Sequence, residues 1–186
     1  GTNNINLETA KARGIIVTNA PGMNSRSAAE MTIALMLAAA RQICEANHAV
    51  KSNNWAWRYG GTGMELHGKT LGLIGFGTIS RMVAQIAGSG SGMSVQAWSP
   101  HVPDTIFEEA GVRRNTSLDS LISTSNVLSL HRPWRAGEPP TLTAERLQSL
   151  LPQTILINTS RGAVIDTEAL RKGLEKCFPA RAALDV

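Results

Sequence analysis

The amino-acid sequence predicts an α/β fold: a doubly wound parallel sheet, with the remnant of a second, flanking domain at the N-terminus. Three observations predict it. From residue 65 onward, short strand-like runs alternate with helical segments, enough for five or six strands. The first run, Leu71, Leu73 and Ile74, is apolar on both faces, as in a strand covered by helices on either side. That run ends in a glycine turn, Gly75-Phe-Gly77, which opens directly into a helical segment.

Before residue 65 the chain reads differently. Residues 7–13 form a short predicted helix ended by Gly14, and Ile15-Ile-Val17 is a β-branched strand candidate. Asn19-Ala-Pro-Gly22 is a turn or linker. One helix and one strand do not make a domain, so more protein is expected before Gly1 in the intact molecule. Ser27 and Glu30 have the spacing of a capping box. A long helix should follow, through Arg41 and on toward Val50. Residues 31–40 are apolar nearly all round, which calls for burial between domains or against a second subunit. Trp55 and Trp57 come next on a loop flanked by Tyr59-Gly-Gly-Thr-Gly63. They read either as an interface hot spot or as rings packed on their own domain.

The alternation then begins. The helix after the glycine turn is expected over residues 79–86. Residues 87–92, Ala-Gly-Ser-Gly-Ser-Gly, have linker composition where a helix-to-strand turn belongs. They read as an engineered or loosely ordered segment. Residues 93–98 are the second strand, 104–110 a short helix closed by Gly111, and 112–114 a weak strand candidate. Residues 118–122 form a further helix and 126–130 a strand. Thr143 caps a helix over 144–151, stopped by Pro152, and 154–158 is the next strand. Asp166 caps a helix to about Lys176, and 180–184 is the last strand, entered after Pro179.

Composition removes several functional classes. An apolar content of 42% supports a packed core. There is no apolar run of about 18 residues, so no membrane span is expected. No signal peptide is visible. Cys44 and Cys177 lie far apart without a C-x-x-C spacing, which implies neither a disulfide framework nor a zinc site and fits a reducing cytoplasm. The net charge of +4 reads as a solvated basic surface before it reads as attraction for an anionic ligand. No basic run interleaved with aromatics points to nucleic acid. No paired histidines or carboxylate cluster points to a metal.

Strand, glycine turn, helix is the setting in which G-x-G-x-x-G binds a dinucleotide. The first glycine permits the turn, the second lets the backbone approach a pyrophosphate, and the third lets helix and strand pack closely. Here the third position is Ser80. In doubly wound sheets ligands bind beyond the carboxyl ends of the strands. Those ends hold residues 75–79, 99–101, 131–133, 159–161 and Asp185. After the second strand an acid commonly binds the adenosine ribose, but this chain has Ser99-Pro-His101. NAD preference is weakened and NADP is left open. Arg161, between a strand end and Gly162, is placed to grip a carboxylate with its planar fork. His131 is expected to be a turn residue without a direct catalytic role, and His48 and His67 carry no signal. Ser160 lacks a G-x-S-x-G setting, so a nucleophilic hydrolase is not expected.

These motifs together resemble the NAD-dependent D-2-hydroxyacid dehydrogenases, the family of phosphoglycerate, glycerate, D-lactate and formate dehydrogenases. The resemblance rests on Asn4-Ile-Asn-Leu, Arg13-Gly-Ile-Ile-Val-Thr-Asn19 and Ala29-Glu30, and on Gly68-Lys-Thr-Leu-Gly-Leu-Ile-Gly-Phe-Gly77. It continues through Leu130-His-Arg-Pro133, Leu156-Ile-Asn-Thr-Ser-Arg-Gly162 and Ala183-Leu-Asp-Val186. It implies hydride transfer between C4 of a nicotinamide and C2 of a 2-hydroxy or 2-oxo acid. By resemblance Arg161 binds the substrate's carboxylate and carbonyl oxygen. Gly75, Gly77, Thr78, Ile79, Ser99, Arg132, Pro133, Thr159, Ser160 and Asp185 match cofactor-lining positions, with Asp185 toward the nicotinamide. The resemblance also implies a homodimer joined through the long helix and the Trp loop. It divides the chain into a substrate-domain remnant (1–22), an interdomain and dimerisation segment (23–64) and a dinucleotide-binding domain (65–186). The family's catalytic histidine and its partner glutamate follow the Leu-Asp-Val motif, and its substrate loop precedes the residue matching Gly1. This chain alone is therefore expected to be inactive. Ser80 and Ser99 depart from the family pattern and motivate an alternative: a non-catalytic, dinucleotide-sensing or corepressor-like module.

Overall fold

The computed structural model describes residues 5–61 and 63–186. Asn4 and Thr62, which fall in motifs quoted above, lie outside the described residues. Helix α1 (Leu7–Ala12) starts at Asn6, whose Oδ1 accepts from the Thr9 N–H at 2.9 Å. The strand expected at Ile15–Val17 does not form. Those residues have no ladder partner among the described residues, and Ile16 is 87% exposed. A strand without a neighbour has nothing to satisfy its backbone groups.

Helix α2 (Ser25–Arg41) begins two residues before the expected capping box. The first turn is already wound when the chain reaches Ser27, as the Ala28 N–H bonds the Asn24 carbonyl at 2.9 Å, so Ser27 and Glu30 lie inside the helix. The long helix also breaks. Gln42 takes a left-handed conformation (φ 54°), and the chain resumes as α3 (Ile43–Lys51). The returning segment fixes the break: the Met64 N–H donates to the Ala40 carbonyl at 2.7 Å. Trp55–Tyr59 form a 3-10 turn.

Then follow β1 (Thr70–Ile74), α4 (Thr78–Gln85), β2 (Ser94–Trp98), α5 (Asp104–Glu109) and β3 (Arg113–Arg114). The second half holds α6 (Leu118–Ser123), β4 (Val127–Leu130), α7 (Ala144–Gln148), β5 (Ile155–Asn158), α8 (Thr167–Glu175) and β6 (Arg181–Leu184). Residues 87–92 are not the loose linker their composition suggests. Helix α4 runs on through a π turn, Ile86–Gly90, anchored by fully buried Ala87.

The six strands pair in parallel in the order β3-β2-β1-β4-β5-β6, a Rossmann-type doubly wound sheet. Side chains alternate across it with the period of two that strands impose. Leu71, Leu73, Val127, Ile155 and Ile157 share one core with Ala29, Met36 and Ala40 of α2 and Val83 and Ala84 of α4. Ile74, Leu128, Leu130 and Leu156 point to the other face and pack with Leu121 and Ile122 of α6, Leu147 of α7 and Leu170 of α8. Both faces are covered, which is why the strands read as continuous apolar runs. Chain order reverses between β1 and β4, and that switch point opens a crevice at the carboxyl edge of the sheet. Among the described residues no helix is long and apolar enough to cross a membrane.

Candidate functional site

The glycine turn after β1 is fixed from behind. Gly75 has φ +94°, and a Cβ there would stand 2.7 Å from the His131 carbonyl oxygen at the end of β4. Only glycine fits that approach. Gly77 differs. It is exposed, its φ is −90°, and a Cβ there would meet no atom of the described residues within 4 Å. Among the described residues neither strain nor packing calls for a glycine there. Gly77 stands at the N-cap of α4, and no side chain caps that helix. The free N–H groups of its first turn, from Thr78 and Ile79 on, therefore present the positive end of the helix beside an open space. Glycine in a cradle that a methyl would fill, against unpaired N–H donors, fits a pyrophosphate.

Ser80, at the third motif position, is fully buried, and its hydroxyl donates to the Gly77 carbonyl at 3.0 Å. The substitution ties the turn to the helix with a bond that a glycine cannot make. No buried polar side-chain atom among the described residues lacks a partner, Ser80 included.

The crevice holds about 460 Å³ and is lined by Gly75, Gly77, Ser99, Arg132 and Pro133 from the expected set, together with Trp98, His101, Arg135 and Glu138. Arg132 faces it, but its guanidinium is engaged. Nη1 donates to Thr141 Oγ1 and Nη2 to Glu138 Oε2, both at 2.9 Å, and Nε to the Pro133 carbonyl at 3.2 Å. His131 also lines the crevice, with Nε2 2.9 Å from the Ser129 hydroxyl. Burial pushes its imidazole down to about 4, so it is neutral at pH 7.

Thr159, Ser160, Arg161 and Asp185 stand outside that lining, at the ends of β5 and β6 on the same edge of the sheet. Asn158, inside the same motif but outside the expected set of site residues, organises Ser160, Arg161 and Asp185. Asn158 is buried. Its Oδ1 accepts from the Ser160 N–H at 2.9 Å and the Ser160 hydroxyl at 2.8 Å, and its Nδ2 donates to the Arg161 carbonyl at 2.8 Å. Its backbone carbonyl accepts from the Asp185 N–H at 3.0 Å, joining the two strand ends. The Asn158-to-Ser160 spacing is that of an Asx-turn, a signal the sequence does carry. Thr159 is held from elsewhere: its Oγ1 lies 2.9 Å from the Thr32 hydroxyl in α2. With 127 residues between them, no local pattern announces that pair. Arg161 is exposed. One Nη donates to the Ser160 carbonyl at 2.6 Å, and the rest of its fork has no protein partner among the described residues. Among the described residues no group of three His, Cys, Asp or Glu side chains could hold a metal.

A doubly wound sheet with an open glycine cradle at its switch point defines a dinucleotide-binding domain. Residues 33–186 match the family described as "D-isomer specific 2-hydroxyacid dehydrogenase, NAD binding domain". The chain belongs to that family and carries its NAD-binding domain. It is 40% identical over 193 residues to glyoxylate reductase from Aeropyrum pernix, covering all of this chain and 57% of that protein. It is 37% identical over 186 residues to D-3-phosphoglycerate dehydrogenase from Methanocaldococcus jannaschii, covering all of this chain and 35% of that one. The crystal structure of D-lactate dehydrogenase from Aquifex aeolicus complexed with NAD and lactic acid superposes with a TM-score of 0.87 and 32% identity, over 100% of this chain and 55% of the other. The chain thus spans between about a third and just over half of these relatives.

Proposed function

We propose that this chain forms the cofactor half of the active site of an NAD(P)-dependent D-2-hydroxyacid dehydrogenase. When bound, the dinucleotide supplies hydride chemistry between C4 of its nicotinamide and C2 of a 2-hydroxy or 2-oxo acid. The chain's own residues bind and orient. Gly75 and Gly77 shape the turn, and the first N–H groups of α4 receive the pyrophosphate. Arg161, with most of its fork free, grips the carboxylate of the acid, and Asn158 holds the backbone that presents it. Ser99, Arg132, Pro133, Thr159, Ser160 and Asp185 line the cofactor's path along the strand ends. The observation that carries this reading is the open space at Gly77 beside an uncapped helix end.

Residues 1–22 are read as the remnant of a substrate domain, 23–64 as the segment joining domains and subunits, and 65–186 as the dinucleotide domain. A homodimer is supported by the exposed apolar side chains of Met31, Leu37, Ile43, Val50, Trp55 and Tyr59 along that middle segment. A cytoplasmic location is supported by two exposed free cysteines, Cys44 and Cys177. The alternative, a non-catalytic dinucleotide-sensing or corepressor-like module, rests on Ser80 and Ser99 alone. The relatives named above are reductases and dehydrogenases, which supports the enzymatic reading.

The test separates binding from turnover. The 186-residue chain is expected to bind NADH, yet to leave it unoxidised when glyoxylate, hydroxypyruvate or pyruvate is added. None of His48, His67, His101 and His131 matches the position of the family's catalytic histidine. Steady NADH oxidation by the chain alone would contradict this division of labour, and no NADH binding would contradict the reading itself.

A further inference from the structure

The far end of the crevice carries a charge pattern that an NAD site does not need. In such sites an Asp or Glu after the second strand accepts from the adenosine ribose hydroxyls, and its charge repels a 2′-phosphate. Here β2 ends in Trp98 and is followed by Ser99, Pro100 and His101, and no carboxylate stands at that position. Ser99, His101 and Arg135 line the same crevice as Gly75 and Gly77. The one acid in that lining is Glu138, and it is neutralised by Arg132 at 2.9 Å. Arg135 is exposed and has no ion pair among the described residues. The arginines of neighbouring β3 are committed elsewhere: Arg113 donates to Gln96 and Arg114 pairs with Asp104. The crevice therefore holds one uncompensated guanidinium, beside a hydroxyl and an imidazole that both offer donors.

We propose that this crevice takes the 2′-phosphorylated dinucleotide, NADP, at least as tightly as NAD, with Arg135, His101 and Ser99 receiving the 2′-phosphate. The proposal rests on the cofactor reading above and adds the identity of the ribose substituent. Arg135 can meet a phosphate with two parallel N–H groups, the arrangement that makes arginine the favoured partner for phosphate. An imidazole donates at least one N–H in either protonation state, and a serine hydroxyl donates one O–H. With the acid absent, nothing in the lining opposes the added negative charge.

Calorimetric titration of the purified chain with NADP and with NAD, at one ionic strength, tests this. NADP is expected to bind as tightly as NAD or more tightly. Arg135→Gln is expected to shift the ratio of the two dissociation constants about tenfold toward NAD, the size of one lost charge-assisted contact. Ser99→Asp is expected to shift the ratio the same way, through restored repulsion. Tighter binding of NAD than NADP by the unaltered chain overturns the proposal and leaves the cofactor reading standing. So does an Arg135→Gln variant that weakens both ligands equally. Binding of neither dinucleotide overturns both.

Discussion

Gly75 and Gly77 stand two residues apart in one turn, and a methyl group does opposite things at the two positions. Gly75→Ala forces a side chain onto a positive φ and against the His131 carbonyl, and is expected to cost at least about 2 kcal/mol in urea unfolding. Gly77→Ala meets no atom of the described residues and a permitted φ, so stability should change by less than about 1 kcal/mol, the loss of a favoured N-cap glycine opposing the lower entropy of the unfolded chain. Its NAD affinity should nevertheless fall about tenfold, on the order of 1.4 kcal/mol. His131 adds a pH dependence with a definite sign. Its folded value is lowered to about 4 from 6.5, so the unfolded chain binds more protons between those values. The neutral histidine's contribution is complete above the unfolded value and is lost as pH falls through the window to about 4, an effect of up to about 3 kcal/mol. Unfolding midpoints across that range should fall with pH, and His131→Gln should flatten the slope. Both glycines were legible in the sequence as a motif. That Gly75 serves packing and Gly77 open space was not, because the partner of Gly75 lies on another strand.

At the scale of elements, β5 and its loop are the clearest case of one side chain fixing several others. Asn158→Ala leaves the Ser160 amide and the Arg161 carbonyl without their partner and is expected to cost about 2–3 kcal/mol. Where a strand pairs on both sides and faces two helical layers, the sequence announces it through unbroken apolar runs, so β1, β4 and β5 were readable. Where an element's state depends on a neighbour, the sequence misleads. Ile15–Val17 has strand chemistry without a sheet to join. The glycine-rich run after Gln85 has linker chemistry, yet buried Ala87 holds it in a π turn. The break at Gln42 depends on the distant Met64 amide, and Ser27 has capping spacing in a helix that starts earlier.

At the scale of the whole molecule, α2 divides its apolar surface. Ala29, Met36 and Ala40 face the sheet, while Met31 and Leu37 remain exposed and continue toward Ile43, Val50 and Trp55. A helix apolar nearly all round with one face uncovered is expected to find cover in a second copy. Sedimentation equilibrium of the chain should show dimers, and Leu37→Glu with Ile43→Glu should yield monomers of unchanged helical content. The cofactor site lies along the carboxyl edge of the sheet at its switch point, which α2 reaches through Thr32 and Thr159. Amide NMR spectra of the chain titrated with NADH test it most directly. The largest shift changes are expected at Gly75 to Ser80, at Ser99, at Arg132 and from Thr159 to Arg161. Unchanged amides at Gly77, Thr78 and Ile79 in the presence of saturating NADH would contradict it.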